Sequence, residues 1–97
     1  LAVAISYFDE KLVYPDGAIL QMRIWQVPRP VRGSTHGFKY SLFYGRPGLR
    51  IVAYDNEAGK GDHVHRLHDE TAYTFISVER LVADFLAEVS LLRGGAL

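Results

Sequence analysis

The sequence predicts an α+β protein: an antiparallel sheet of four or five strands, mostly a meander, packed on one C-terminal amphipathic helix. Three observations carry that prediction. Apolar and polar residues alternate with period two through much of the first half, turn-forming residues punctuate the alternation, and a spacing of three and four takes over only near the C-terminus. Val3 to Phe8 reads as the first strand, ended by the polar Asp9-Glu10-Lys11. Tyr14-Pro15-Asp16-Gly17 is a turn, because Pro15 holds φ at about −65° and Gly17 accepts positive φ. Ala18 to Val27 reads as the second strand, with Leu20, Met22 and Ile24 on one face and Gln21, Arg23 and Trp25 on the other. Pro28 and Pro30 end it by removing ladder donors, and a basic, turn-rich loop runs to Gly37. Phe38 to Tyr44 is the third strand, whose aromatics on both faces suggest a central position. Gly45-Arg46-Pro47-Gly48 connects it tightly to Leu49 to Tyr54. Asp55 to Arg66 has no sustained apolar period and reads as a loop, after which Ala72 to Ile76 is either a short fifth strand or extended linker. Val78, Leu81, Val82, Phe85, Leu86, Val89 and Leu92 then form one helical stripe, capped by Ser77 and stopped by Gly94 and Gly95.

Composition bounds the function. The chain has 97 residues, 48% of them apolar, and no cysteine, which fits one domain over residues 1–97 and excludes disulfides, thiolate chemistry and cysteine-ligated zinc. A folded monomer of this mass exposes roughly 5,600 Å², so one sheet and one helix use up the available core. No stretch approaches a membrane span, and no signal peptide is readable from Leu1 onward; the cytoplasm is the expected compartment. Eleven basic residues balance eleven acidic ones. They are separated along the chain: Arg23, Arg29, Arg32, Lys39, Arg46 and Arg50 face no acidic residue between Gln21 and Arg50, whereas Asp69 to Leu97 is predominantly acidic.

Two groups of residues have chemical capacity. Arg23 and Trp25 share a face of the second strand, and Lys39 lies opposite the aromatic row of the third; brought together across strands they suit phosphate neutralisation and base stacking. Packing and ordinary solvation explain the same residues. The denser group is Asp55-Asn56-Glu57 followed by Gly59-Lys60-Gly61-Asp62-His63-Val64-His65-Arg66. Its glycines let a phosphate approach the main chain, but the spacing is not that of a nucleotide-binding P-loop. His63 and His65 point the same way if the segment is extended, and two histidines can divide proton removal from leaving-group protonation. A divalent ion held by Asp62, His63, His65 and His68, with Asp55 or Glu57 added, is an alternative. A structural hydrogen-bond network stapling the loop to the sheet is another. His36 is expected to face solvent.

Tyr14-Pro15-Asp16-Gly17, Trp25-x-Val27-Pro28, His36-Gly37-Phe38-Lys39-Tyr40-Ser41-Leu42, Tyr54-Asp55-Asn56-Glu57-x-Gly59-Lys60-Gly61-Asp62-His63-x-His65 and Ala83-Asp84-Phe85-Leu86 together resemble the TumE-type family of toxin-antitoxin proteins, over about Tyr14 to Val89. The resemblance implies a small intracellular toxin paired with a cognate helix-turn-helix antitoxin. It places the family pattern on Lys39, Tyr40, Asp55, Asn56, Glu57, Gly59, Lys60, Gly61, Asp62, His63 and His65, and does not name the target.

The leading expectation is a toxin acting as a metal-independent ribonuclease without cofactor. His63 and His65 would be acid and base, Lys60 and Arg66 would stabilise phosphate charge, and Arg23, Trp25, Lys39 and Tyr40 would hold RNA. Asp55 and Asp62 would orient the catalytic groups, with Asn56, Glu57, Gly59 and Gly61 shaping the loop. The alternatives are a divalent-metal phosphodiesterase and a non-catalytic protein-binding toxin. A single helix leaves one sheet face uncovered, and an apolar face there would be covered by a homodimer or by the antitoxin.

Overall fold

The computed structural model describes residues 3–95. Six strands in chain order form one sheet: β1 (Ile5–Val13), β2 (Ile19–Gln26), β3 (Phe38–Arg46), β4 (Leu49–Asp55), β5 (His63–Arg66) and β6 (Asp69–Ala72). Each strand pairs antiparallel with the next, so the sheet is a pure meander with β3 in its interior. The helix α1 (Val78–Leu92) packs across one face. The expected class and architecture are those observed, with two differences in the strands.

First, Asp9-Glu10-Lys11 lies inside β1. β1 is an edge strand exposed along its whole length, so burial imposes no apolar pattern on it and polar residues do not end it. Second, the segment expected to be a loop ends in the β5–β6 hairpin, and the strand expected over Ala72 to Ile76 lies at Asp69–Ala72 instead. Its two-residue turn is Leu67-His68, with Leu67 at φ 53°, and lacks the Asn-Gly or Asp-Gly pair by which such turns are recognised. Four-residue strands are also too short to show a period. Tyr73 and Phe75 follow as extended chain packed against the core.

Alternation decides the two faces. Leu20, Met22, Ile24, Tyr40, Leu42, Tyr44, Val52, Tyr54 and Val64 point toward the helix and enclose Leu81, Phe85 and Val89, all three without solvent exposure. Each such side chain contributes about 1.5–3 kcal/mol on leaving water. Polar contacts fix the helix orientation. The Ser77 hydroxyl caps its start by accepting from the Arg80 amide at 3.0 Å, and Arg80 pairs with Asp84 one turn on. The Arg66 guanidinium grips Glu88 with two bonds of 2.7 and 3.1 Å, and Tyr54 donates to the same carboxylate. At the far end Arg93 lies over the Tyr14 ring, 3.5 Å from its centroid, and donates to Tyr44 and Asp16.

The uncovered face is polar, which corrects the expectation of an apolar one. Asp9, Arg23, Ser41, Asp55, His63 and Ala72 form a single cross-strand row over all six strands, beside a second row of Lys11, Gln21, Phe43, Ala53, His65 and Glu70. Six of the eleven large apolar residues exposed among those described lie on and before β1: Val3, Ile5, Tyr7, Phe8, Leu12 and Val13. No helix among the described residues is long and apolar enough to cross a membrane.

Candidate metal centre

β4 and β5 pair so that Asp55 stands opposite His63 and Ala53 opposite His65. Tyr54 and Val64 turn to the core; Asp55, His63 and His65 therefore share the open face. His63 Nε2 lies 2.6 Å from Asp55 Oδ1, and His65 Nε2 lies 3.7 Å from Asp55 Oδ2. The two imidazoles meet edge to face with centroids 4.5 Å apart. One ligand atom from each of the three residues lies within 4.8 Å of the others.

The short contact between His63 and Asp55 is not an aligned hydrogen bond. Both atoms are buried and neither has a hydrogen-bonding partner. His63 Nδ1 lies 2.8 Å from the Gly61 carbonyl, which can only accept, so Nδ1 carries a proton and Nε2 is the nitrogen left facing Asp55. Asp55 Oδ1 and His63 Nε2 thus converge at one buried point. That is costly when empty and is the donor arrangement a divalent cation requires; the Gly61 carbonyl supplies the outer bond that orients a ligating histidine.

His65 is also suited to ligation. Burial, followed by the Arg50 charge, lowers the pKa of its imidazole against the pull of Asp55 and Glu70, which favours the neutral form that ligates. Glu70 reaches over from β6, its oxygens 3.7 Å from His63 Nε2 and 3.9 Å from His65 Nδ1, and 3.8 Å from Lys60 Nζ. The spacing along the chain does not single out Glu70, because its place depends on the β5–β6 hairpin. A run of His-x-His with an acidic residue five positions after the second histidine was the only local signal.

Asp62 is adjacent to His63 and points elsewhere. Its carboxylate accepts from Ser34 at 2.6 Å, from Tyr40 at 2.8 Å and from His36 at 2.7 Å. Burial alone would raise its pKa, but these three donors outweigh burial and hold it below the usual carboxylate range. His36 is not solvent-facing: it stacks on Phe75 with centroids 3.6 Å apart. Asn56 is buried and ties the same loops, accepting from the Tyr40 amide and donating to the Phe38 carbonyl and Ser34. Where these loops cross, a Cβ on Gly61 would stand 2.7 Å from the Gly33 carbonyl oxygen, and Gly61 has φ +75°. Only glycine fits.

The expected site therefore divides. His63 and His65 converge with Asp55, which moves from a supporting role to the centre. Lys60 touches its rim through Glu70. Arg23, Trp25 and Lys39 lie on the same open face, Trp25 directly opposite Lys39 and Arg23 in the row of Asp55, two strands or about 10 Å away. Asp62, Tyr40 and Asn56 belong to the loop-stapling network. Gly59 donates its amide to the Arg32 carbonyl, while Glu57 accepts from the Lys60 amide in an exposed turn. Arg66 faces the helix, and His68 sits on the exposed hairpin turn, so neither reaches the histidines. The divalent-ion alternative likewise exchanges Asp62 and His68 for Asp55.

The expectation of a metal-independent ribonuclease is overturned. His63 and His65 share their space with Asp55 in a ligand-like cluster, and the carboxylates of Asp55 and Glu70 repel a bare phosphate unless a cation intervenes.

Fold and cluster together define a small α+β protein with a metal-ligand constellation on the open face of its sheet. Residues 4–93 match the family model described as Toxin TumE, and the chain belongs to that toxin family of toxin-antitoxin systems. No curated protein and no solved structure matches it.

Proposed function

We propose that this toxin is a divalent-metal phosphodiesterase that cleaves RNA in the cytoplasm. The observation that carries the reading is the buried, unpartnered pair of Asp55 Oδ1 and His63 Nε2, with His65 beside it. Asp55, His63 and His65 hold the ion, which supplies Lewis-acid chemistry at a phosphodiester. Lys39 and Arg23 neutralise backbone phosphates along the open face, and the half-buried Trp25 offers a base a stacking surface. Metal analysis of protein purified without chelator, beside cleavage of single-stranded and structured RNA, tests this. One Zn or Mn per chain and cleavage that chelator abolishes are expected, with both lost in a His63→Ala/His65→Ala variant. A clean apo protein that neither binds added metal nor cleaves refutes the reading.

The partner in this reading is a cognate helix-turn-helix antitoxin seated on β1. That edge is nine residues long, exposed throughout and apolar at both ends, whereas the opposite edge is short and acidic. Light scattering of the toxin alone and with the product of an adjacent helix-turn-helix gene checks it. A heteromer that Leu12→Lys weakens supports the assignment; a toxin homodimer that the antitoxin leaves intact shows that β1 serves a second copy instead.

A further inference from the structure

We infer that Glu70 is the fourth protein donor of the metal centre and that its contact with Lys60 is a resting position, given up when the ion binds. The inference rests on the metal-site reading above and concerns a residue outside its three ligands. The register places Glu70 opposite His65 on the open face, while its neighbour Asp69 turns to the helix side with Arg66. In a four-coordinate site with ligand bonds of about 2.0–2.1 Å, neighbouring ligand atoms stand about 3.3 Å apart. Glu70 Oε1 is 3.7 Å from His63 Nε2, within a few tenths of an ångström of that spacing. The Asp55–His63 contact of 2.6 Å is shorter than that spacing, so an arriving ion spreads the pair.

Nothing locks Glu70 where it stands. Its contacts with His63, His65 and Lys60 are all longer than hydrogen bonds, and its side chain is 42% exposed. A swing of its side chain brings one oxygen to the ion and leaves the Lys60 ammonium without its counter-charge, on a glycine-flanked loop at the rim of the site. Occupation of the centre thus releases a cation next to it. A phosphodiester entering the open face then meets an ion and a free ammonium together, whereas the empty centre presents a neutralised Lys60. Metal loading and substrate charge recognition are coupled through one carboxylate.

Titration calorimetry with Mn(II) and with Zn(II) tests this on wild type, Glu70→Gln, Lys60→Met and the double variant, with Asp55→Asn as reference. Thermal melts of the apo proteins check that the exposed substitutions leave the fold intact. Glu70→Gln is expected to weaken binding about 10- to 100-fold. Lys60→Met is expected to tighten it by up to about fivefold, the limit for an exposed ion pair. In the Glu70→Gln background the Lys60 effect should vanish. Equal tightening in both backgrounds shows a through-space charge effect and overturns the competition; wild-type affinity in Glu70→Gln overturns the fourth donor. If Asp55→Asn loses the ion while Glu70→Gln retains it, this inference falls and the metal-site reading survives. If wild type binds no ion, both fall.

Discussion

Replacing Asp62 by Asn removes the charge from a carboxylate that three side chains on other segments address: Ser34 at Oδ1, His36 and Tyr40 at Oδ2. An amide can keep the acceptor that faces His36 and Tyr40, and the Ser34 hydroxyl can turn to accept from its NH2. The substitution therefore keeps the shape of the network and weakens three charge-assisted bonds to neutral ones. A hydrogen bond to a charged group contributes about 1.5–3 kcal/mol and a neutral one about 1, so three such changes have an upper bound near 4–6 kcal/mol. Asp62 retains some access to water, which brings the expected loss to about 2 kcal/mol, or some 8–16 °C in Tm for a chain of this size. The sign of the pH dependence follows from the depressed pKa of Asp62. Its stabilisation is complete above its unfolded-state value and is lost as pH falls through the lower folded-state value. Urea denaturation of both proteins between neutral pH and about pH 3 should show a difference that is full at neutral pH and shrinks below about pH 4. Asp16, Asp84 and Glu88 also have depressed pKa values and tilt both curves alike, so the difference isolates Asp62. A variant within about 0.5 kcal/mol of wild type at neutral pH, or a difference that persists undiminished in acid, refutes the stapling role.

Other perturbations separate stability from function. Gly61→Ala puts a Cβ against the Gly33 carbonyl at positive φ, so a loss of about 1–3 kcal/mol in urea is expected, with weaker Zn(II) binding by calorimetry because the Gly61 carbonyl that orients His63 moves. Arg66→Ala removes the two-bond grip on Glu88 and should cost about 1 kcal/mol of stability, while the salt dependence of RNA binding stays unchanged. Lys39→Ala should do the reverse, lowering the slope of log K against log salt by about 1 without altering the melting curve. Trp25→Ala should weaken single-stranded RNA binding by about 1–3 kcal/mol, measured by fluorescence anisotropy. Divalent ion at about 100 times Kd should raise unfolding free energy by about 2.7 kcal/mol, and chelator should reverse it.

Much of the fold was legible because its signals are local. The stripe from Val78 to Leu92 is a helix on spacing alone, and Leu20, Met22 and Ile24 announce a half-buried strand. β1, β5 and β6 lack such signals. β1 is exposed on both faces, so Asp9-Glu10-Lys11 looks like an interruption; β5 and β6 are four residues each, joined by a turn without the usual glycine. Site residues divide along the same line. His63 and His65 share a face in any extended segment, a consequence of the two-residue period. Which carboxylate joins them is not a local property.

By itself, then, the sequence determined the first four strands, the single amphipathic helix and the central place of β3, and it offered the two histidines on one side only for an extended segment. The tertiary structure alone decided that Asp55, and not Asp62, meets them. Alternation sends the neighbours Asp62 and His63 to opposite sides, and the β4–β5 register, set across an intervening loop, brings Asp55 opposite His63. The β5–β6 pairing then places Glu70 beside both histidines. Register is a choice among non-local pairings settled by burying Tyr54 and Val64 together in the core, and no spacing along the chain encodes it.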